Sequence, residues 1–357
     1  MNVEVKLDLW NYLKGADKPI LMYGMGNGAD KILKICESYG IEISDFFASD
    51  GFVRGHSFHG KVVLSYSQAK EKYRDFIVLL SFASSLPDVI ENIKRISGEI
   101  ELYAPDVPVF GNNLFNMEFF EEHREEFEKA YSLFEDEASK FVFENVINYK
   151  LSGKINYLFS CDSDEKDIMA ELVKPQNVKS YADLGAYNGD TVRSLISYTD
   201  TLEEVIAFEP DRRNFRKLCE WQKTIEKPKI FAHNLGAWSR KDTLFFDASG
   251  NRNSNLKTEG GEKLSKIEVD ALDNIVSSTP PDFIKYDVEG SEYEALLGSR
   301  QIITSYYPTL LVSAYHRSED LYKLPILLKT LCPSYRLYLR KLRYIPAWDL
   351  NIYALKG

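Results

Sequence analysis

The chain has 357 residues, 44% of them hydrophobic and 27% charged, a length that suits two domains. Its 54 acidic and 44 basic residues give a net charge of −10, which argues against general adhesion to nucleic acid or anionic lipid. No apolar run reaches the roughly 18 residues of a spanning helix, and the first twenty residues lack a secretory layout. The four cysteines are scattered and predict neither a disulfide framework nor a zinc site. We expect a cytoplasmic protein without a nucleic-acid partner or a membrane span. The sequence leaves homo-oligomer formation open.

A strand–glycine-loop–helix pattern opens the first predicted domain, residues 1–110. A strand at 19–23 leads into Gly24, Gly26 and Gly28, and a helix is predicted from 29 to 39. Strands at 42–48, 61–65 and 75–81 alternate with helices at 67–73 and 87–96, which predicts a small Rossmann-like parallel sheet. The glycine loop is close to a dinucleotide fingerprint, and Asp50 ends the next strand as a candidate ribose partner. Either this is a second nucleotide site, or the glycines only permit a tight turn.

Residues 111–175 differ in kind and predict a helical linker or cap. Apolar residues from Phe119 to Val142 recur at steps of three and four, which predicts two amphipathic helices. The apolar stripe either faces the core or covers a neighbouring active site.

The predicted third segment, residues 176–357, opens with a second glycine loop. Strands are predicted at 181–184, 204–209, 229–234, 282–287, 309–314, 336–339 and 351–354, with a β-rich insertion at 243–246 and 266–269. This predicts a seven-stranded, mostly parallel sheet that ends in an antiparallel edge pair.

Acidic residues mark the strand ends of this segment. Asp183 stands two residues before Gly185, and Glu209 ends the next strand at the distance that reaches ribose hydroxyls. Asp183 and Asp190 would repel an anionic pyrophosphate, whereas a sulfonium-bearing nucleoside would be attracted.

Four segments together carry a resemblance to a known family: 183–191, 208–211, 269–273 and 282–292. They resemble the FkbM family of S-adenosylmethionine-dependent methyltransferases over roughly residues 115–357. The resemblance implies a class I methyltransferase sheet, adenosylmethionine as cofactor, and hydroxyl groups of sugars or polyketides as acceptors. It assigns the cofactor to Asp183, Gly185, Ala186, Gly189, Asp190, Glu209 and Asn234.

The ends of the fourth and fifth strands are candidates for the chemistry. Asp287, Glu289 and Glu292 follow the fourth strand and could position the acceptor, hold a divalent cation or cap the next helix. We expect no metal, because spacing places no further ligand. His316 follows the fifth strand as a candidate general base, and Tyr315 and Arg317 could line the acceptor site.

We therefore expect methyl transfer to a hydroxyl of a small molecule, sugar or glycan precursor. One alternative is an oxidoreductase or epimerase that binds NAD(P) or a nucleotide sugar through Gly24–Gly28. A second alternative is a methyltransferase-like fold that only binds.

Overall fold

The protein is described by a computed structural model that covers residues 1–53, 55–247, 264–276 and 279–357. It contains two α/β regions, one built on a five-stranded sheet and one on a seven-stranded sheet, and a helical segment joins them. The predicted fold class is therefore confirmed. No helix in the described parts of the chain combines the length and apolar character needed to cross a membrane.

The first sheet is entirely parallel, in the order β5-β2-β1-β6-β7. Its region contains α1 (Leu9–Lys14), β1 (Ile20–Tyr23), α2 (Asn27–Tyr39), β2 (Asp45–Ala48), β3 (Ser57–Phe58), β4 (Lys61–Val62), β5 (Leu64–Ser65), α3 (Tyr66–Tyr73), β6 (Ile77–Leu80), α4 (Pro87–Glu99) and β7 (Leu102–Tyr103). The strand predicted at 61–65 is two short strands, because residues 61–62 pair with 57–58 in a hairpin.

The helical segment has more helices than predicted. It comprises α5 (Met117–Glu122), α6 (Arg124–Ser132), α7 (Glu137–Ser152), α8 (Ile155–Ser160) and α9 (Glu165–Ile168), followed by a π-helical turn (Met169–Val173) and a 3₁₀ turn (Pro175–Asn177). Three helices occupy residues 112–150 instead of two, since His123, with φ −112° and ψ 20°, leaves the helical conformation and separates α5 from α6. Most of the apolar stripe packs in the core, with Phe141, 49% exposed, as an exception. Phe127 is fully buried, and its ring centroid lies 5.0 Å from that of Tyr322.

The second sheet has seven strands in the order β10-β9-β8-β14-β15-β17-β16. The elements of this region are β8 (Ser180–Leu184), α10 (Asp190–Tyr198), β9 (Glu204–Phe208), α11 (Arg212–Gln222), β10 (Lys229–His233), β11 (Gly236–Ala237), β12 (Asp242–Asp247), β13 (Leu264–Asp270), α12 (Leu272–Ile275), β14 (Phe283–Tyr286), α13 (Glu292–Leu297), α14 (Arg300–Tyr306), β15 (Thr309–Ser313), α15 (Asp320–Leu331), β16 (Tyr335–Lys341) and β17 (Leu350–Lys356). β17 runs antiparallel to both β15 and β16, which confirms the predicted edge pair. The predicted insertion forms a separate three-stranded sheet of β11, β13 and β12.

The two sheet regions contact each other beside the carboxyl ends of the second sheet. The backbones of Ser84 and Ile345 exchange two hydrogen bonds of 2.8 and 3.1 Å. The N–H of Phe110, between β7 and α5, donates to the carbonyl of His316 at 3.0 Å. These contacts bring the first region next to the strand ends where open α/β sheets bind ligands.

Candidate functional site

A cavity of about 620 Å³, here called the central cavity, lies at the carboxyl ends of β8, β9 and β14. Its lining includes Gly185 after β8, Glu209 after β9, and Asp287 after β14. Five acidic side chains line it, namely Asp190, Glu209, Asp211, Asp287 and Glu289. Among the described lining residues, Lys285 is the basic one. This excess of carboxylates favours a cationic ligand over an anionic one.

The second glycine loop shapes the floor of the central cavity. Gly185 has φ +90°, and a Cβ there would lie 1.9 Å from the carbonyl oxygen of Asp287. Gly189 has φ +86°, and a Cβ there would lie 2.5 Å from the ring of Trp221. Ala186 is fully buried, and its N–H donates to the carbonyl of Phe208. The loop therefore lies tightly against both neighbouring strand ends, as only glycine at positions 185 and 189 permits.

Asp183 is fully buried and belongs to an ion-paired network below the cavity lining. Lys285 Nζ lies 3.5 Å from Asp183 Oδ1 and 3.4 Å from Asp287 Oδ2, and the Thr191 hydroxyl donates to the Asp183 carboxylate. Burial works against the charge on Lys285, but the two carboxylates outweigh it and raise its pKa. The cofactor contact that the resemblance implies for Asp183 stays a prediction, and in this geometry its carboxylate is engaged by Lys285 and Thr191. Lys285 was not anticipated from the sequence.

Glu209 lies at the rim where a ribose is expected. It is 6% exposed, and its carboxylate accepts the N–H groups of Tyr187 and Asp211, each at 2.8 Å. Burial raises the pKa of Glu209 to about 7. The side chain of Asn234 donates to the carbonyls of Glu209 and Pro210, at 2.8 and 3.0 Å. Asn234 therefore holds the strand end in place, and its contact with the cofactor stays a prediction.

Asp287 is the acid that three polar side chains orient toward the cavity. The Tyr315 hydroxyl donates to Asp287 Oδ1 at 3.0 Å, and His316 Nε2 lies 3.5 Å from the same oxygen. Burial alone would raise the pKa of Asp287, but Lys285 and His316 outweigh burial and hold it below its usual range. Asp287 is thus a fixed, ionised carboxylate at neutral pH. Tyr315 holds this carboxylate through its hydroxyl group.

His316 is buried between two carboxylates. Its Nδ1 lies 2.9 Å from Glu292 Oε1, and its side chain is 3% exposed. Burial works against its charge, but Glu292 and Asp287 outweigh it and raise the pKa of His316 to about 9. A pKa raised in this direction by two carboxylates favours the doubly protonated imidazole at neutral pH. This does not fit the predicted role of general base.

The two remaining predicted substrate contacts are engaged elsewhere. Glu292 is 1% exposed, and its Oε1 accepts the N–H groups of Val288 and Gly290 at 2.9 and 3.3 Å, so it holds the turn before α13 and does not cap that helix. Arg317 Nε donates to the carbonyl of Gly290 at 2.7 Å and fixes the same turn. Glu289 alone of the acids after Asp287 lines the central cavity.

Phe110 is a lining residue that the sequence did not indicate. Its ring lies 5.9 Å, centroid to centroid, from that of His316, nearly perpendicular to it. The sequence around Phe110 predicts no site residue. The nearby Pro105 and Pro108 indicate only that a domain ends there.

Asp287, Glu292 and His316 form a group that could hold a metal ion. One ligand atom from each lies within 4.8 Å of the others, and Glu292 and His316 are buried. The ammonium of Lys285, 3.4 Å from Asp287 Oδ2, competes with any cation at this place. The charges are therefore balanced better by a protonated His316 than by an added ion.

The first glycine loop packs closely against the residues that follow β6. A Cβ at Gly28 would lie 2.0 Å from the carbonyl oxygen of Ser81, and one at Gly24 would lie 2.7 Å from the ring of Phe82. Gly26 is the N-cap residue of α2 and has φ +91°. Asp50, the predicted ribose partner, accepts the N–H and hydroxyl of Ser67 at 3.0 and 2.9 Å. This gives Asp50 a role in fixing the start of α3, and we propose no ligand contact for it.

Comparisons with known proteins agree with this geometry. Residues 183–346 match the family described as Methyltransferase FkbM domain. The crystal structure of Methyltransferase FkbM from Methylobacillus flagellatus KT is similar in fold, with a TM-score of 0.72 and 22% identity over 96% of this chain and 91% of that one.

More distant structures carry no argument about this chain because their TM-scores are low. Precorrin-6y C5,15-methyltransferase from Geobacter metallireducens GS-15 has a TM-score of 0.34 and 11% identity over 55% of this chain and 93% of that one. A rRNA methylase from Streptococcus thermophilus has a TM-score of 0.33 and 13% identity over 54% of this chain and 92% of that one. A search of curated proteins found no match. The resemblance predicted from the motifs is confirmed by the match of residues 183–346 to the FkbM methyltransferase domain and by the fold of the first structure.

Proposed function

We propose that this methyltransferase uses S-adenosylmethionine to methylate a hydroxyl group of a sugar or glycan precursor. The observation that carries the proposal is the acidic lining of the central cavity between Glu209 and Asp287. A ligand with a sulfonium and an ammonium group complements five carboxylates, whereas the pyrophosphate of NAD(P) would be repelled. The lining charges therefore favour methyl transfer over the oxidoreductase or epimerase alternative.

The residues present fit this cofactor. Each oxygen of Glu209 accepts one backbone hydrogen bond, which leaves acceptor capacity for the ribose hydroxyls. The turn at Gly185 and Gly189 would take the methionine part, with Asp190 in the first turn of α10 facing its ammonium group. Asp183 contributes indirectly, because it fixes Lys285, which in turn fixes Asp287.

The cofactor supplies a methyl group that is already activated on a sulfonium. The protein has to align the acceptor and receive its proton. Asp287 is placed to accept a hydrogen bond from the acceptor hydroxyl at the cavity wall. An oxygen that takes up a methyl group becomes strongly acidic, so a carboxylate with a lowered pKa can still accept its proton. We assign Asp287 as the catalytic residue.

His316 acts through other groups and is a positioning residue in this proposal. As an imidazolium, it faces Asp287 with one ring nitrogen and Glu292 with the other. Glu292 in turn holds the backbone turn that follows Asp287. His316 thus couples the direction of the Asp287 carboxylate to the shape of the turn beside the acceptor.

The reaction should proceed without a metal ion. Dialysis of the protein against EDTA is expected to leave turnover unchanged. The reason is that the ammonium of Lys285 and the imidazolium of His316 already compensate the charges of the neighbouring carboxylates. Turnover is measured before and after dialysis, with Mg²⁺ or Mn²⁺ added back. Loss of activity on dialysis and its recovery with either ion would contradict this expectation.

Replacing Glu209 with glutamine tests the cofactor assignment. We expect Glu209→Gln to weaken S-adenosylmethionine binding by about 1–3 kcal/mol, because an amide cannot accept both ribose hydroxyls and both backbone N–H groups. Since the pKa of Glu209 is about 7, wild-type affinity should fall as the pH drops below 7, and the variant should lose this dependence.

Isothermal titration calorimetry between pH 6 and pH 8 (roughly one unit on either side of that pKa) measures both effects. The exposed Glu203, just before β9, gives the matched control Glu203→Gln. Equal affinity of wild type and Glu209→Gln across this range would remove Glu209 from the cofactor site.

A further inference from the structure

A second cavity, here called the junction cavity, has a volume of about 530 Å³ and lies between the two sheet regions. The first region contributes the start of α2 and the loop after β6, including Gly28 and Phe82. The second region contributes the connection between β16 and β17, including Tyr344 and Trp348. The proposed function does not use this cavity.

We propose that the junction cavity binds a pyranose ring of the acceptor, one unit away from the hydroxyl that is methylated. The proposal rests on the proposed function, since it names how the acceptor of that reaction is held.

The junction cavity lies at the place where a doubly wound sheet binds its ligands. In the order β5-β2-β1-β6-β7, the chain runs outward to one side from β1 and then to the other side from β6. Ligands bind at the carboxyl ends of the two strands that flank such a reversal. The close contact of Gly28 with the Ser81 carbonyl joins the start of α2 and the loop after β6 into one firm wall.

The opposite wall is fixed to the first. Ser84 and Ile345 exchange backbone hydrogen bonds across the junction, at 2.8 and 3.1 Å. Ile345 itself is fully buried, and its neighbours Tyr344 and Pro346 line the cavity. The cavity is thus preformed, as small-molecule sites usually are.

The lining suits a neutral ring with one apolar face. Aromatic side chains of Phe82, Tyr344 and Trp348 line the cavity, with Asn27 and Ser81 as polar partners. Lys31 is the charged residue among its described lining residues, and its Nζ donates to the carbonyls of Pro108 and Val109 at 3.2 Å. Aromatic faces pack against the C–H face of a sugar, while a few polar groups orient its hydroxyls. A nucleotide would require further positive charge.

An aromatic row connects the junction cavity to Asp287. The ring centroids of Tyr344 and Trp348 are 5.5 Å apart, and those of Trp348 and Tyr315 are 6.5 Å apart. The hydroxyl of Tyr315 then donates to Asp287 at 3.0 Å. Two consecutive residues between β7 and α5 line the two cavities, Val109 the junction cavity and Phe110 the central one. A saccharide that offers a hydroxyl to Asp287 can therefore extend along this row.

Saturation-transfer NMR on the full chain tests the proposal with methyl pyranosides of glucose, galactose, mannose and rhamnose as probes. We expect at least one probe to bind, Trp348→Ala to raise its Kd about tenfold, and Trp348→Phe to keep most of the affinity. Tyr306→Ala removes an aromatic ring that is 60% exposed on α14 and serves as the control that retains binding. UDP, added as competitor, should not displace the probe.

Three results would overturn the proposal: no binding of any probe, binding that Trp348→Ala leaves unchanged, or displacement by UDP. Titration of the same preparations with S-adenosylhomocysteine separates this proposal from the proposed function. Normal S-adenosylhomocysteine binding without pyranoside binding overturns the junction cavity alone. Absence of S-adenosylhomocysteine binding in the wild type contradicts the proposed function instead.

Discussion

Asp287→Asn is expected to lower kcat for methyl transfer about 10²–10⁴-fold. The amide keeps the size of the side chain but cannot receive the acceptor proton, and it turns a donor toward a hydroxyl that also has to donate. Tyr315 and Lys285 remain in place to hold the residue, so the loss reflects chemistry more than geometry. Release of S-adenosylhomocysteine at saturating cofactor, with the acceptor varied, measures kcat and KM separately.

The same substitution should affect binding of S-adenosylmethionine, which carries a sulfonium charge, differently from binding of S-adenosylhomocysteine. A sulfonium is stabilised by the Asp287 carboxylate, whereas S-adenosylhomocysteine carries no sulfonium charge, so Asp287→Asn should weaken binding of the methyl donor more than that of the product. The exposed Asp200 supplies the control Asp200→Asn. A kcat within twofold of wild type in Asp287→Asn would refute its catalytic role, the factor being about 0.4 kcal/mol in barrier height.

His316→Ala is expected to destabilise the protein by about 3–5 kcal/mol, the range for removing one partner of a buried ion pair. The substitution leaves Glu292, which is 1% exposed, opposite no positive charge, and Asp287 loses one of its two cationic neighbours. Urea or thermal unfolding measures the change. The control His56→Ala removes an exposed histidine and should stay close to wild type.

If His316 is charged in the folded protein, its contribution to the free energy of unfolding depends on pH. A histidine that only fills space would contribute equally at every pH. The folded pKa of His316, about 9, lies above its ordinary value of 6.5 because Glu292 and Asp287 attract its proton. Its contribution to stability is therefore complete below pH about 6.5 and is lost progressively up to pH about 9. Nearby Asp320 also titrates in this window, with a pKa raised by burial to about 8. The stability difference between wild type and His316→Ala should thus shrink as the pH rises from 6.5 to 9. A difference that stays constant over this interval would show that His316 is not charged.

Turnover separates the positioning role from the role of general base that the sequence suggested. A base with a pKa of about 9 would give a rate that rises up to that pH. A positioning imidazolium gives a rate that falls as its proton is lost. His316→Gln, which keeps a hydrogen-bonding side chain, should therefore retain more activity than His316→Ala.

The succession of strands and helices along the chain, and the acids at the strand ends, could be predicted from the sequence. Alternation of strands and helices predicts parallel sheets, and parallel strands place their carboxyl ends at one edge, so Glu209 and Asp287 could be assigned to one cavity. Element boundaries were less accurate: the strand predicted from residue 42 begins at Asp45. The division into residues 1–110, 111–175 and 176–357 remains a prediction.

The pairing of charges inside the site could not be read from the sequence. Glu292 turns back toward His316 because Glu289 and Gly290 both adopt left-handed backbone conformations, with φ of +56° and +88°. That turn, and not sequence spacing, brings the acid to the histidine. Likewise, Asp183 and Lys285 are 102 residues apart and become partners only because β8 and β14 are neighbours. Long-range pairing of this kind decides which acids face the cavity and which are already neutralised.

Calorimetric titration of the purified protein with S-adenosylmethionine and, in parallel, with NADH tests the central claim most directly. The acidic cavity predicts micromolar binding of S-adenosylmethionine, weakened by Glu209→Gln, and no heat of binding with NADH. Binding of NADH without binding of S-adenosylmethionine would contradict the account.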